Sequence, residues 1–372
     1  MIRVLELLTT TAPGGGPRQV YDLARRLPRS EFELTVAGPR DGPFFERFRA
    51  LGLAVAEVPA GRLGARPLLA TVRLIRRLGI EVVHTHGKGA GLHGRLAARW
   101  TGVAAVHTFH GIHYERYRRP LQALYLGLER RLGRWTHTVI HVSPTQEAEA
   151  RRLGLAAPGR GATVINGVDL DEQDRSLAAS PLTRADLGLR PGLAALGSVA
   201  RFDPVKRLDA LVEALQFSNR RDAALLLVGD GPEAARLRRR VAAAGLGARV
   251  VFAGWLDDPA RVYPLLDLYV AASTKEGLPL AVLEAMGAGL AVVATDVPGH
   301  RDVVAHGTTG LLVPPGDARA LATAIGALLD DPERRARMGR AGRARVLSEF
   351  SIQPMVAKTA EIYRAAATAS AR

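Results

Sequence analysis

Short apolar runs alternate with amphipathic stretches from one end of the chain to the other. In the first half, Ile2–Leu8, Phe32–Ala37, Val55–Val58, Val82–His84, Ala104–Thr108, Val139–Val142 and Ala162–Ile165 predict β-strands. Helical spacing between them predicts helices over Pro17–Leu27, Pro43–Leu51, Leu68–Arg77, Gly91–Arg99 and Pro120–Gly133. A second series begins after a polar stretch, with strands over Ala194–Ala200, Ala224–Val228, Val250–Ala253, Leu268–Ala271, Ala291–Thr295 and Gly310–Val313. Its helices are Leu208–Leu215, Glu233–Ala244, Pro279–Met286 and Ala318–Leu329, and the segment from Ser351 is helical in pattern. Strand–helix alternation of this kind predicts parallel sheets.

The expected fold class is therefore α/β, two Rossmann-like doubly wound domains facing across a cleft at the carboxyl ends of their strands. The boundaries expected are a first domain over 1–168, a linker over 169–189 and a second domain over 190–350. A C-terminal helix over 351–372 is expected to pack back on the first domain.

With 47% hydrophobic residues in 372, the chain can build two cores, which excludes global disorder. It has no cysteine, which excludes disulfides, thiolate metal sites and a cysteine nucleophile. MIRVLELLTT reads as a first strand rather than a signal peptide, and no apolar run is long enough to span a bilayer. A cytoplasmic protein is expected.

Charge divides unevenly. Residues 1–168 carry 25 Lys/Arg against 12 Asp/Glu, +13, whereas residues 169–372 carry 26 against 24, +2. An excess confined to one half suggests an anionic partner there: a phospholipid surface, a lipid-pyrophosphate acceptor or nucleic acid. Solvated faces of an arginine-rich protein are the plainer account. No zinc pattern or aromatic–basic stretch supports nucleic acid. Arg116, Arg118, Arg119, Arg130, Arg131 and Arg134 bracket the apolar Leu121–Leu128, an amphipathic basic helix suited to an anionic membrane face. Peripheral attachment at the inner face of the plasma membrane follows as an expectation, the alternative being that its apolar side packs on the domain.

Four constellations carry candidate chemistry. In Ser273-Thr-Lys-Glu276-Gly-Leu-Pro-Leu-Ala-Val-Leu-Glu284 a strand end turns at Gly277, and Pro279 suits the first helical position. Open amides at that start favour anionic or hydroxyl oxygens. The two carboxylates, more than a turn apart, can accept from hydroxyls at different parts of one ligand, as a sugar joined to a nucleotide presents. In Ser198-Val-Ala-Arg201-Phe-Asp-Pro-Val-Lys206-Arg207, two cations lie between strand and helix, where a fork and a point charge suit a leaving diphosphate. Gly14-Gly15-Gly16 follows the first strand and lets backbone approach a ligand, without the spacing of a dinucleotide fingerprint.

The fourth constellation is histidine. Eight of ten histidines fall in 84–141, with His84 and His86 on one strand face and His107, His110 and His113 near a turn. These strand ends and loop lack the helical HExxH arrangement, and no metal site is expected. Asp169-Leu-Asp171 is a DxD string in the expected linker, and is not assigned to a metal either.

In their shared order these elements resemble the family-4 glycosyltransferases of the GT-B fold. The resemblance runs over nearly the whole chain, including Thr108-Phe-His110-Gly111, Asn166-Gly-Val-Asp169, Val228-Gly-Asp-Gly-Pro232 and Gly307-Thr-Thr-Gly-Leu-Leu-Val-Pro-Pro-Gly316. It implies metal-independent, retaining transfer from a nucleotide-diphosphate sugar, UDP- or GDP-linked, to a saccharide or lipid-linked acceptor, in polysaccharide or glycolipid synthesis. No cofactor is implied. Glu276 would contact the donor sugar hydroxyls, Glu284 the ribose, Arg201 and Lys206 the diphosphate, and His110 the sugar or transition state. Backbone at Gly277, Leu278, Pro279 and Leu280 and at Gly15 and Gly16 would hold sugar and phosphates, with the base against Gly254, Trp255 and Leu256. Arg207 stands where the family commonly has glycine, and Asp302 where it commonly has glutamate. A catalytically silent sugar-nucleotide-binding or scaffold protein of the same fold is the alternative.

Overall fold

The computed structural model describes residues 1–112, 114–115, 117–179 and 182–370, so His113 and Arg116 lie outside the described residues. The chain divides into two compact units, Met1–Asn166 with Ile352–Arg372, and Gly167–Ser351.

The first unit holds a seven-stranded parallel sheet of β1 (Ile2–Leu8), β2 (Phe32–Gly38), β3 (Ala54–Glu57), β4 (Val82–His86), β5 (Ala104–Phe109), β6 (Thr138–His141) and β7 (Gly161–Thr163). Their order is β3-β2-β1-β4-β5-β6-β7. Connecting helices are α1 (Gly15–Arg26), α2 (Phe44–Ala50), α3 (Ala65–Leu78), α4 (Lys88–Thr101), α5 (Arg119–Trp135) and α6 (Pro144–Leu153). Alternate side chains of each strand enter different layers. Val4, Val82 and Val106 pack with Leu23 of α1, while Leu5, Leu7, Val83 and Ala105 pack with Val72 and Ile75 of α3 and Ala97 of α4. Each fully buried aliphatic side chain contributes roughly 1.5–3 kcal/mol.

The second unit opens with α7 (Leu170–Ala179), so the polar stretch read as a linker carries a helix. Asp169, buried at its start, accepts the Glu172 amide through Oδ1 at 3.1 Å, as a helix cap does. A six-stranded parallel sheet follows: β8 (Ala194–Val199), β9 (Ala223–Val228), β10 (Val250–Gly254), β11 (Leu268–Ala271), β12 (Val292–Thr295) and β13 (Gly310–Val313), ordered β10-β9-β8-β11-β12-β13. Its helices are α8 (Leu208–Phe217), α9 (Ala234–Ala243), α10 (Leu280–Gly287), α11 (Pro298–Val303), α12 (Ala318–Leu329) and α13 (Pro332–Glu349). Leu211 and Leu215 of α8 and Leu321, Ile325 and Leu328 of α12 close one core over Leu196, Leu225, Leu268 and Val293.

The last helix, α14 (Ile352–Ser370), belongs to the first unit. Its Met355 and Tyr363 enter the layer of Val4, Val82 and Val106. In both sheets the strand order reverses beside the first strand, between β1 and β4 and between β8 and β11. Crossovers leave such a switch point on opposite faces, opening a crevice at the strands' carboxyl ends.

Candidate functional site

The switch point of the second unit is where Lys206 and Glu276 meet. After β8 the chain runs through Arg201 into a short 3₁₀ turn, Pro204–Lys206, whose start is capped by the Asp203 carboxylate. After β11 it runs through Ser273 to Glu276. Lys206 Nζ donates to Glu276 Oε1 at 2.6 Å, and the Ser273 hydroxyl donates to the same oxygen at 2.6 Å. Burial pushes the Glu276 carboxyl up, but Lys206, His300 and Ser273 together outweigh it and hold the group below the ordinary range. A carboxyl depressed in this way contributes stability that is complete above the unfolded value of 4.5 and is lost as pH falls through the lower folded value. The stability difference between the wild type and Glu276→Gln is therefore expected to be flat at neutral pH and to shrink only below 4.5, as read by urea unfolding at stepped pH.

The backbone under Glu276 is held by α11. A Cβ on Gly299 would stand 2.7 Å from the Glu276 Cβ and 2.9 Å from its carbonyl carbon, so only glycine permits this approach. Arg201 lies on the same rim, paired with Asp203 and half exposed. Arg207 adopts a left-handed conformation, φ 46° and ψ 44°, at the position where the resemblance expects glycine. That conformation costs a side-chain-bearing residue about 1–2 kcal/mol. The 2.9 Å bond from its Nε to Asp209 offsets part of it.

Glu284 lies inside α10 and is buried. Its Oε2 accepts the hydroxyl of the fully buried Tyr263 at 2.8 Å, and its carbonyl accepts Gln173 Nε2 of α7 at 2.8 Å. Pro279 occupies the cap position rather than the first helical turn, and no side chain caps the amides behind it. Gly277, Leu278 and Pro279 are buried and Leu280 half-buried. Gly254, Trp255 and Leu256 close β10 on the same carboxyl rim, with Trp255 exposed and the Gly254 carbonyl tied to the Gly229 amide at 2.8 Å. The structure thus joins Lys206 to Glu276 directly. Arg201 and Glu284 each hold other partners.

At the switch point of the first unit stands a buried polar cluster. Parallel register sets Glu6 of β1 opposite His84 of β4, and His86 opposite Thr108 of β5. Glu6 Oε2 accepts from His86 Nε2 at 2.7 Å, and its other oxygen accepts from the Tyr363 hydroxyl of α14. His84 bridges Tyr363 at 2.6 Å and Thr108 at 2.7 Å, and His86 Nδ1 meets His110 Nε2 at 3.0 Å. Gly16, in the first turn of α1, lies against His110, whose ring a Cβ there would meet at 3.2 Å.

The ligating atoms of Glu6, His84 and His86 fall within 4.8 Å of one another. Two ligands of one zinc ion with bonds near 2.0–2.2 Å would stand about 3.3 Å apart. The 2.7 Å between Glu6 and His86 is a hydrogen-bond distance. The histidine pattern was visible in the sequence, but Glu6, Thr108 and Tyr363 were not assigned to it. The signal for Glu6 was a single carboxylate inside the apolar run Ile2–Leu8. Tyr363 gave none, being 357 residues away.

Residues 13–172 match the family described as Glycosyltransferase Family 4, and residues 180–345 match Glycosyl transferases group 1. The chain is 30% identical to a GDP-mannose-dependent alpha-(1-6)-phosphatidylinositol monomannoside mannosyltransferase of Mycobacterium tuberculosis, over 98% of each chain. It is 27% identical to the Escherichia coli UDP-Gal:alpha-D-GlcNAc-diphosphoundecaprenol alpha-1,3-galactosyltransferase, over 80% of this chain and 79% of the relative. The crystal structure of Anabaena HepE with UDP-glucose has a similar fold, with a TM-score of 0.85 at 22% identity, covering 98% of this chain and all of that one.

Proposed function

The chain belongs to the family-4, group 1 glycosyltransferases of the GT-B fold, and on that premise we propose a retaining, metal-independent transfer from a nucleoside diphosphate sugar to a saccharide or lipid-linked acceptor. The observation that carries the donor half is the 2.6 Å pair of Lys206 with Glu276 at the strand ends. A sugar nucleotide changes there from an anion to a cluster of hydroxyl donors. A cation and a carboxylate side by side complement that junction.

In this reading Lys206 and Arg201 take up charge on the departing diphosphate while Glu276 orients the sugar through its hydroxyls. Glu284 accepts from the ribose, backbone over Gly277–Leu280 lines the sugar, and Gly254, Trp255 and Leu256 carry the base. Gly15, Gly16 and His110 of the first unit are assigned to the phosphates and sugar, and the first unit to the acceptor. A relative that acts on a diphosphoundecaprenol-linked sugar supports a lipid-linked acceptor, and relatives named for UDP-Gal and GDP-mannose support either nucleotide. Incubation with UDP-, GDP- and ADP-sugars tests the reading. One donor is expected to bind and hydrolyse slowly, with unchanged rate in EDTA, and, once a saccharide acceptor is added, an α-configured donor is expected to give an α-linked product by proton NMR. A β-linked product would overturn retention, and loss of rate in EDTA would overturn metal independence.

We also propose that the first unit docks on an anionic membrane surface. Helices α3, α4 and α5 pack side by side, and their single acidic residue, Glu129, is buried against Arg95 at 2.6 Å. The layer therefore exposes arginines without a carboxylate, together with Trp100, Leu121, Leu124 and Leu128. Each arginine near an anionic leaflet contributes about 1 kcal/mol, and each leucine adds its apolar area. Among the described residues no helix is long and apolar enough to cross a membrane. Replacing Leu121, Leu124 and Leu128 with serine is expected to lower binding to phosphatidylglycerol vesicles at least about tenfold in flotation. Equal binding to neutral and anionic vesicles would contradict the charge half of the proposal.

A further inference from the structure

The buried cluster of the first unit ends on His110, and its hydrogen bonds form a directed chain. We infer that Glu6 and His86 are positioning residues that fix His110 as the Nε2–H tautomer, leaving its Nδ1 as an acceptor for a ligand hydroxyl. This rests on the proposed placement of His110 beside the donor sugar.

The direction follows from what each group can give. Glu6, fully buried, has its carboxyl held below the ordinary range: burial raises it, and His84 and His86 beside it together outweigh that. An ionised carboxylate only accepts, so both His86 Nε2 and the Tyr363 hydroxyl donate to it. Burial pushes His86 down to about 4, with the His84 ring adding to the shift, so its imidazole is neutral and carries one N–H. That proton is on Nε2, and Nδ1 is left with a lone pair. The 3.0 Å contact to His110 is then a bond only if His110 Nε2 donates. Burial also holds His110 well below its ordinary value, with the neighbouring His86 adding to it, so His110 too has one proton and a bare Nδ1.

The remaining contacts agree with this assignment. Once Tyr363 donates to Glu6, its oxygen can accept from His84 Nδ1 at 2.6 Å, with His84 Nε2 facing Thr108 at 2.7 Å. The rings of His86 and His110 lie 5.2 Å apart at 26°, and Gly16 closes the edge of His110, so the ring cannot turn over without breaking the chain. The last helix of the protein thus braces, through Tyr363, a side chain that the proposed reaction uses. A carboxylate two bonds away sets what that side chain can recognise.

Glu6→Gln tests this. Glutamine can present its NH2 to His86 and invert the chain, moving the His110 proton to Nδ1. Nitrogen-15 NMR of the full chain with labelled histidine, assigned by loss of the signal in His110→Asn, is expected to show Nε2–H in the wild type and Nδ1–H in Glu6→Gln. Turnover is expected to fall about tenfold or more, the cost of one lost hydrogen bond, while the dissociation constant for the free nucleoside diphosphate stays within about twofold. Thr108→Val removes a bond to His84 that lies off the Glu6–His86–His110 path and is expected to change neither tautomer nor turnover. If Glu6→Gln does not fold, His86 serves instead. His86→Gln can still donate to Glu6 and accept from His110, and is expected to keep more activity than His86→Leu. An unchanged His110 tautomer in Glu6→Gln, or equal turnover in the two His86 variants, would overturn the inference. Wild-type turnover in His110→Ala would instead overturn the placement of His110 on which it rests.

Discussion

Alanine in place of Lys206 is expected to lower turnover about a thousandfold, the scale seen when a preorganised charge is withdrawn from a transition state. The ammonium is three-quarters buried at the end of a 3₁₀ turn, and nothing else bonded to Glu276 is positively charged among the described residues. On the proposed assignment, withdrawing it would leave the departing diphosphate with Arg201 alone. The fold is expected to survive, because Ser273 still donates to Glu276 and the partly solvated pair contributes modestly to stability. Initial rates of nucleotide release, taken beside a thermal melt, read both quantities. A folded variant turning over within tenfold of the wild type would remove Lys206 from the chemistry.

Glu284→Ala has the second largest expected effect, and it falls on affinity. Hydrogen bonds to a charged acceptor contribute about 1.5–3 kcal/mol each, so losing the proposed ribose contact should raise the donor dissociation constant ten- to a hundredfold. Alanine also removes an acceptor of the fully buried Tyr263 hydroxyl, which should cost about 1–3 kcal/mol of stability. Glu284→Gln separates the two effects. Its amide oxygen can still accept from Tyr263, so stability should return while affinity stays low. Calorimetric titration of the nucleoside diphosphate with both variants checks this, and wild-type affinity in Glu284→Ala would take Glu284 out of the donor site.

Much of this fold was legible because the strands are apolar runs of the right length and helices follow each one. Parallel strand order then brings every loop of the second unit that carries candidate chemistry to one rim. The elements that were not legible depend on contacts far along the chain. Helix α13 is rich in arginine with a weak apolar stripe, and carries two glycines that argue against a helix. One of them, Gly339, is there because a Cβ would stand 1.9 Å from the Gly289 carbonyl oxygen. Its identity is set by packing on the loop after α10, which no local pattern encodes. Helix α7 reads as a polar lead-in until α10 gives Gln173 a carbonyl to hold. The left-handed Arg207 departs from the local preference for glycine, and only the structure shows Asp209 compensating.

Candidate residues divide in the same way. Lys206 and Glu276 are conspicuous in sequence because charged residues beside Gly, Pro and a strand end have few structural uses. Glu6 and Tyr363 look like an ordinary strand residue and an ordinary helix residue. Only the register of β1 against β4, and the return of α14, brings them to the histidines.

The most direct measurement of the donor site is a crystal structure of the protein with a nucleoside diphosphate sugar. The diphosphate is expected within hydrogen-bond distance of Lys206 and Arg201, with Glu276 released from Lys206 and accepting from the sugar. A nucleotide bound away from β8 and β11, with the Lys206–Glu276 bond intact, would contradict it.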